Sequence, residues 1–195
     1  MTDYSDLQVF NFVETPSGNY SQVVDNAADA EISGLAVEFV WQVTDNFRLE
    51  GSIANLDAEL TNYRIDENND GVVDIDYSGN RPDNTPEFTS TLIATYSIAM
   101  ADGSAIDLRA DYRGYDEVWD GNDEDPSRKH DSYSVLGARA TWTSADGDLS
   151  VALWGRNLTE EEYTINVGPA QPNLNQLNFS YGTPRTVGLL VDYRF

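Results

Sequence analysis

The last eleven residues, from Arg185 to Phe195, alternate strictly between two kinds of side chain. One phase is apolar or aromatic and contains Val187, Leu189, Val191, Tyr193 and Phe195. The other phase contains Thr186, Gly188, Leu190, Asp192 and Arg194. Because successive side chains of an extended backbone point to opposite faces, this period of two predicts a β-strand whose two faces have different surroundings.

The same alternation recurs along the chain and predicts about eight strands, several of them longer than is usual in soluble sheets. The predicted strands span residues 3–13, 31–42, 46–60, 87–99, 104–116, 132–143, 148–158 and 183–195. A tilted strand needs about 9–11 residues to cross a bilayer. The predicted strand lengths therefore suit a membrane.

The connections between the predicted strands alternate between short and long. Tight turns are predicted at 43–46, 100–104 and 144–148, and the last two contain Asp-Gly, a strong hairpin signal. The longer polar stretches are 14–30, 61–86, 117–131 and 159–182. In an up-and-down antiparallel sheet this puts all tight turns at one end and all long loops at the other, as in outer-membrane barrels.

Charged residues avoid the apolar phase of the predicted strands, except at strand ends next to long loops, where Asp57, Glu59, Asp116 and Arg185 lie. In 104–116, Ile106 and Leu108 alternate with Asp107 and Arg109. A cation that faces lipid at mid-membrane costs about 2–4 kcal/mol, which explains the separation. We predict an all-β fold: an antiparallel up-and-down transmembrane β-barrel segment with short periplasmic turns and long outer loops. A soluble β-sandwich is the alternative, but it gives no reason to sort loops by length.

Composition excludes several classes of protein. With 11 basic and 34 acidic residues, the net charge of −23 argues against binding nucleic acid, whose phosphates need basic partners. Cysteine is absent, so no disulfide or thiolate site is possible. The chain has no run of about eighteen apolar residues that would predict a membrane helix. Residues 1–6 do not have the pattern of a signal peptide.

Two motifs flank the last long polar stretch, which leads to the last strand. Asn157-Leu158-Thr159 is followed by Tyr163, and Pro184-Arg185-Thr186 leads into a strand that ends Tyr-Arg-Phe. Together they resemble the C-terminal end of TonB-dependent outer-membrane receptors. The segment from Gly79 to Glu87 is similar to the stretch that enters another strand of that family.

The resemblance implies that residues 1–195 are the C-terminal part of such a receptor's barrel, without its plug domain and N-terminal strands. It implies a non-enzymatic transporter of the bacterial outer membrane, for a ferric siderophore or a similar small ligand that the sequence does not identify. The implied partners are outer-membrane lipid, the missing plug and strands, TonB through the plug, and the barrel assembly machinery. That machinery is expected to read the terminal strand through Val187, Leu189, Val191, Tyr193 and Phe195.

Two alternatives stay open at this point. The first is a complete small eight-stranded outer-membrane barrel with a structural or adhesive role, since eight strands can close with side chains filling the interior. Pairing between 3–13 and 183–195 would distinguish it from an open segment. The second is a soluble β-domain stabilised by calcium.

No catalytic constellation is visible, and no organic cofactor is expected. The single histidine, His130, lies in a charged stretch and is predicted to be a solvated loop residue. One loop has the spacing of a calcium site, formed by Asp66, Asn68, Asp70 and Asp74, with Gly71 for the sharp turn. Tyr77 stands where an EF-hand has its bidentate glutamate, and strands are expected where an EF-hand has helices. A solvated acidic turn is the other interpretation.

Overall fold

The computed structural model describes residues 2–14, 20–66, 70–171 and 176–195. Its strands are β1 Thr2–Glu14, β2 Tyr20–Thr44, β3 Phe47–Ile65, β4 Ile75–Asp76, β5 Phe88–Ala99, β6 Ala105–Tyr115, β7 Val118–Trp119, β8 Lys129–His130, β9 Tyr133–Thr143, β10 Leu149–Arg156, β11 Thr164–Gln171, β12 Gln176–Tyr181 and β13 Thr186–Tyr193. One short 3-10 helix covers Pro126–Arg128. No helix in the described part of the chain is long and apolar enough to cross a membrane.

Nine of these strands form one continuous sheet: eight follow the order β1-β2-β3-β5-β6-β9-β10-β13, and the short β4 pairs with β3 beside this path. Each strand is antiparallel to the next, and the eight strands lie side by side in the order in which they occur along the chain. Every predicted strand is therefore present in the predicted up-and-down topology. Two small hairpins, β7–β8 and β11–β12, form separate sheets in the loops.

The three tight turns lie where the sequence predicts them. Asp45 and Asn46 join β2 to β3, and Thr44 caps this turn with its hydroxyl, which accepts the Phe47 N–H at 3.1 Å. Gly103 and Gly147 have φ of +88° and +78°, a backbone region that glycine adopts without strain. The opposite end of the sheet, called the long-loop end below, carries 66–87, 116–132 and 157–185.

The cross-strand register puts the two predicted phases on two separate faces. One face is apolar and open: Val37 pairs with Ile53, Leu92 pairs with Tyr112, and Leu108 pairs with Ala140. Leu35, Val187 and Leu189 are 67–70% exposed on it, as expected for side chains that face lipid. The other face, called the polar face below, carries Glu50, Asp111, Arg109 and Arg139 but also Val40 and Leu190.

Three strands are longer than predicted, and one of them is β3, which continues to Ile65 into the predicted loop at 61–86. The sequence predicts a polar loop at 14–30 and a strand from 31, yet β1 continues to Glu14 and β2 begins at Tyr20; residues 15–19 lie outside the described part. The 25 residues of β2 extend for roughly 80 Å, far more than a bilayer needs. Beyond lipid both faces of a hairpin can be hydrated, so polar composition does not end a strand there.

The protruding part of β2 and β3 holds a small apolar core. Ala28, Ala30, Leu60 and Tyr63 are each at most 2% exposed, and Leu7, Ile65 and Tyr77 pack against them. The segment after β4 pairs with the free edge of β3, since the Tyr77 and Gly79 N–H groups donate to the carbonyls of Tyr63 and Leu60. The loop between β3 and β5 is therefore partly ordered as an extension of the sheet.

Two other corrections concern the C-terminal strands. The predicted loop at 159–182 contains the β11–β12 hairpin, of which residues 172–175 lie outside the described part. The last strand begins at Thr186 instead of 183, because Pro184 has no N–H to donate to a ladder. It ends at Tyr193, so Phe195 lies beyond the ladder and is fully exposed.

The assignment of the two faces can be tested with adjacent residues of β5. Leu92 faces Gly51 and Tyr112 on the apolar side, whereas Ile93 lies between Glu50 and Asp111. We expect Leu92→Arg to lower the free energy of unfolding in lipid vesicles by about 2–4 kcal/mol. Ile93→Arg should cost clearly less, because its cation faces two carboxylates. Equal losses in a denaturant titration would contradict the assignment.

Candidate functional site

One buried carboxylate joins three segments at the long-loop end. Asp120 is 7% exposed, and its Oδ1 accepts the side-chain amide of Asn84 at 2.8 Å. Its Oδ2 accepts the His130 Nε2–H at 2.5 Å and also the Val167 backbone N–H. These contacts bring together the loop between β3 and β5, the loop between β6 and β9, and β11. We call Asn84, Asp120, His130, Thr164 and Val167 the loop junction.

His130 is buried in the loop junction, and the prediction of a solvated loop histidine is wrong. It is 4% exposed, and its Nδ1 lies 2.9 Å from the carbonyl oxygen of Thr164. Both ring nitrogens therefore lie against oxygen atoms, one from Asp120 and one from Thr164, which fixes the orientation of the ring. The β7–β8 ladder, which pairs Val118 with His130, brings the histidine next to Asp120.

A second carboxylate lies beside the junction. The Gly121 N–H donates to Asp83 at 2.9 Å, and Asp83 in turn donates its own N–H to the side-chain oxygen of Asn122. Burial raises the pKa of Asp83, with the neighbouring charge of Asp120 acting in the same direction and the Gly121 N–H and Arg128 opposing it. The folded form of these loops therefore binds a proton at Asp83 more readily than the unfolded form does. Its stability relative to the unfolded form rises as the pH falls.

The acidic run in the loop between β6 and β9 is used within the loops. Glu117 pairs with Lys129, Asp123 pairs with Arg128, and Glu124 accepts the N–H of Arg81. Asp125 caps the short 3-10 helix by accepting the Ser127 N–H at 2.8 Å. The acidic side chains of this run therefore stabilise the loops internally through ion pairs and hydrogen bonds.

Three tyrosines stack at the long-loop end of the polar face. The ring centroids of Tyr115 and Tyr133 are 5.1 Å apart, and those of Tyr133 and Tyr163 are 4.2 Å apart. Tyr115 and Tyr133 pair across β6 and β9, while Tyr163 comes from the loop after β10. In β7, the Trp119 ring has Arg81 and Lys129 each within 5.5 Å of its centre. Stacked and cation-paired rings of this kind form a rigid, partly open aromatic surface.

The two motifs before the last strand close the base of one long loop. Asn157 is 4% exposed, and its side-chain amide donates to the carbonyls of Glu161 at 2.8 Å and Thr183 at 3.0 Å. Its φ of +49° is one that asparagine tolerates better than most residues. Arg185 pairs with Glu160 at 2.5 Å across the same base. The loop thus leaves β10 and enters β13 at fixed positions.

The predicted calcium loop is only partly described. The Asp66 carboxylate accepts the N–H groups of Asp70 at 3.2 Å and Gly71 at 2.8 Å, and Asn68 lies outside the described residues. Within the described part of the chain, no group of three or more His, Cys, Asp or Glu is arranged to hold a metal ion. Calcium binding through Asp66, Asn68, Asp70 and Asp74 stays a prediction.

The terminal strand has the predicted arrangement of faces. Val187, Leu189, Val191 and Tyr193 pair with Gly155, Leu153, Val151 and Leu149 on the apolar face. Recognition of this strand by assembly machinery stays a prediction.

Comparisons with known proteins agree with this architecture. A family described as "TonB dependent receptor-like, beta-barrel" matches residues 1–158. Among solved structures, the ferric yersiniabactin uptake receptor FyuA from Yersinia pestis is 18% identical, with a TM-score of 0.77 over 99% of this chain and 26% of that chain. The siderophore receptor PiuA from Acinetobacter baumannii is 19% identical, with a TM-score of 0.66 over 93% and 24%. The copper transporter OprC is 16% identical, with a TM-score of 0.68 over 99% and 28%.

The match over most of the chain shows that it belongs to the TonB-dependent receptor β-barrel family. Members of this family are transporters and not enzymes, they lie in the outer membrane of Gram-negative bacteria, and they work with TonB and a plug domain. The chain spans about a quarter of the length of the structures it matches. No curated protein sequence matches it.

The loop junction predicts a specific effect of losing one carboxylate oxygen. In Asp120→Asn, one of the two oxygens becomes an NH₂ group, so either Asn84 or the pair His130 and Val167 loses its acceptor. Leaving a buried donor without its acceptor costs about 1–3 kcal/mol. We expect hydrogen exchange to rise together in 80–87, 118–130 and 164–168.

The matched control is Glu117→Gln, which removes the exposed ion pair with Lys129 in the same loop. Such a pair contributes about 0–1 kcal/mol, so exchange should change little. A rise confined to the loop between β6 and β9 in Asp120→Asn would contradict a shared junction.

Proposed function

We propose that this chain is the C-terminal part of the barrel of a TonB-dependent receptor, and that plug and further strands complete it. The open sheet carries this proposal. In the described residues, β1 pairs with β2 alone and β13 pairs with β10 alone. Unpaired strand edges are not tolerated in lipid, where no water satisfies the backbone. Receptors of this kind close with about 22 strands around a plugged lumen.

The same observation speaks against the small closed barrel. A complete eight-stranded barrel needs a ladder between its first and last strands, and the described parts of β1 and β13 form none. An adhesive or structural role for a closed barrel therefore has no support in the strand pairing.

The genomic DNA immediately upstream of the codon for Met1 tests this proposal. We expect an in-frame continuation that encodes about fourteen further strands, a plug domain and a signal peptide. A stop codon followed by an unrelated reading frame, together with β1–β13 pairing detected by cross-linking in the membrane, would contradict it.

We further propose that the receptor takes up a small metal-bearing ligand of the siderophore class. The structural neighbours are a ferric yersiniabactin uptake receptor, a siderophore receptor and a copper transporter. The tyrosine stack of Tyr115, Tyr133 and Tyr163 supports this, because it offers an aromatic surface on the polar face beneath the long loops. Planar aromatic chelates are suited to stacking on such a surface.

Tryptophan fluorescence can test the ligand class. Of the four tryptophans, Trp119 alone lies in a long loop, in the short strand β7. The other three, Trp41, Trp142 and Trp154, lie in strands of the main sheet. The probes are Cu²⁺ and ferric complexes of a catecholate, a hydroxamate and a phenolate chelator, added to the membrane-inserted protein. We expect one of them to quench Trp119, with its Kd raised about five-fold or more by Tyr133→Leu or Tyr163→Leu.

Tyr96→Leu is the matched control, because Tyr96 lies on the apolar face opposite Leu108. It should leave the Kd unchanged. If none of the probes binds, or if Tyr96→Leu weakens binding as much as Tyr133→Leu does, the tyrosine stack is not a surface for this class of ligand.

A further inference from the structure

A pocket of about 390 Å³ opens on the apolar face of the sheet, at its long-loop end. Ser90 of β5, Gly114 of β6 and Ser134 of β9 line it, and they pair with one another across the three strands. Tyr115 and Tyr133 also border it, but they belong to the opposite phase, so their rings lie on the polar face. We call this the rim pocket and define it by Ser90, Tyr112, Gly114, Asp116, Ser134 and Glu161.

The rim pocket interrupts a row of apolar side chains. In the same cross-strand row, β2 and β3 carry Val37 and Ile53, and Ile53 pairs directly with Ser90. The next row toward the tight turns contains Leu92 of β5, which is apolar again. Ser90 is the third residue of β5 and Ser134 is the second residue of β9, so both lie where their strands meet the long loops. The pocket is therefore at the boundary between the hydrocarbon and the headgroups of the outer leaflet.

The hydroxyl groups of the rim pocket are not used within the protein. In the part of the chain that the structure describes, the hydroxyls of Ser90, Ser134 and Tyr112 have no hydrogen-bond partner. Two of them lie close together, since a Cβ added at Gly114 would be 2.8 Å from the Ser90 Oγ and 3.2 Å from the Tyr112 Oη. A hydroxyl without a partner beside hydrocarbon is unfavourable. These groups are therefore suited to a ligand that brings its own donors and acceptors.

Two carboxylates border the outer side of the rim pocket. Asp116 continues the β6 ladder beyond Tyr115, since its N–H donates to the Phe88 carbonyl at 3.0 Å. Glu161 is held at the base of the last long loop, where its N–H donates to the side-chain oxygen of Asn157 at 2.9 Å. Among the described residues, no basic side chain lines the pocket. A phosphate would therefore meet two like charges and no counter-charge, whereas hydroxyl groups would find acceptors.

We propose that the rim pocket binds the uncharged sugar portion of a glycolipid headgroup in the outer leaflet. Position identifies the partner as a lipid, because the pocket lies on the lipid-facing side at the outer end of the strands. Chemistry identifies a sugar, because hydroxyls and carboxylates together satisfy sugar hydroxyls, and the exposed rings of Phe88 and Tyr112 offer apolar surface beside them. The volume is in the range of small-molecule sites and exceeds what an ammonium group fills. The proposal goes beyond the proposed function and holds for any closed barrel that contains this sheet.

The test uses the closed barrel, extracted from the outer membrane with any sequence that precedes Met1 in its gene, in a polyoxyethylene detergent that carries no sugar. The probe is dimyristoylglycerol with a diglucosyl headgroup, and its binding is measured by native mass spectrometry. We expect it to bind more tightly than lipids with the same chains and a phosphoglycerol or phosphoethanolamine headgroup. The double variant Ser90→Ala/Ser134→Ala should lower the affinity for the glycolipid about five-fold or more, because it removes two hydrogen-bonding groups.

The matched control is Ser33→Ala/Ser150→Ala, which removes two strand serines outside the rim pocket, and its affinity should equal that of the parent. Replacing Ser90 and Ser134 by alanine should leave the denaturation midpoint unchanged or raised, which separates lost binding from lost folding. The proposal is overturned if the Ser90/Ser134 variant binds the glycolipid as well as the parent, or if the control variant loses as much affinity. It is also overturned if either phospholipid binds as tightly as the glycolipid. Upstream DNA that encodes no further strands would contradict the proposed function alone.

Discussion

Hydrocarbon offers the backbone no hydrogen-bond partner, and most of this structure follows from that constraint. Every N–H and C=O within the bilayer has to pair with a neighbouring strand, so the strands form an uninterrupted antiparallel ladder from β1 to β13. The same ladder fixes which side chains share a face. A shift of one residue in the pairing of Leu92 with Tyr112 would bring Asp111 to the lipid face. Register and the segregation of charge therefore support each other.

At the long-loop end the structure is constrained by the length of the loops and not by lipid. The connection from 157 to 185 is much longer than most loops of compact domains, and such loops need structure of their own. Part of it comes from local pairing in the β11–β12 hairpin, and part from Asn157 at the base. The remainder comes from Asp120, whose two oxygens accept donors from three segments. Buried polar groups of this kind give a unique arrangement because any other arrangement leaves a donor unsatisfied.

Features that depend on a few neighbouring residues could be predicted from the sequence, whereas features that depend on residues far apart in the chain could not. The strands and tight turns follow from period-two alternation and from Asp-Gly, which act over a few residues, and their positions agree with the structure. The start of β2 could not be predicted. Polar composition indicates that a segment is in contact with water, but it does not show whether that segment is a strand or a loop. His130 was missed for another reason. Its burial depends on Thr164, which lies 34 positions away and has no sequence signal that links it to a histidine.

The apolar face is interrupted where β5, β6 and β9 meet the long loops. Valine or isoleucine in place of Ser90 and Ser134 would favour both strand formation and contact with lipid, and Val37 and Ile53 occupy the same cross-strand row. Gly114 between the two serines has no side chain to pack against its neighbours. The ladder requires none of these three residues, because it uses only backbone groups. Their shared effect is to leave space and hydroxyl groups beside the headgroup layer, and two carboxylates border the same space. Small residues at three adjacent positions of an otherwise apolar row are the pattern expected where a headgroup, and not a hydrocarbon chain, packs against the barrel.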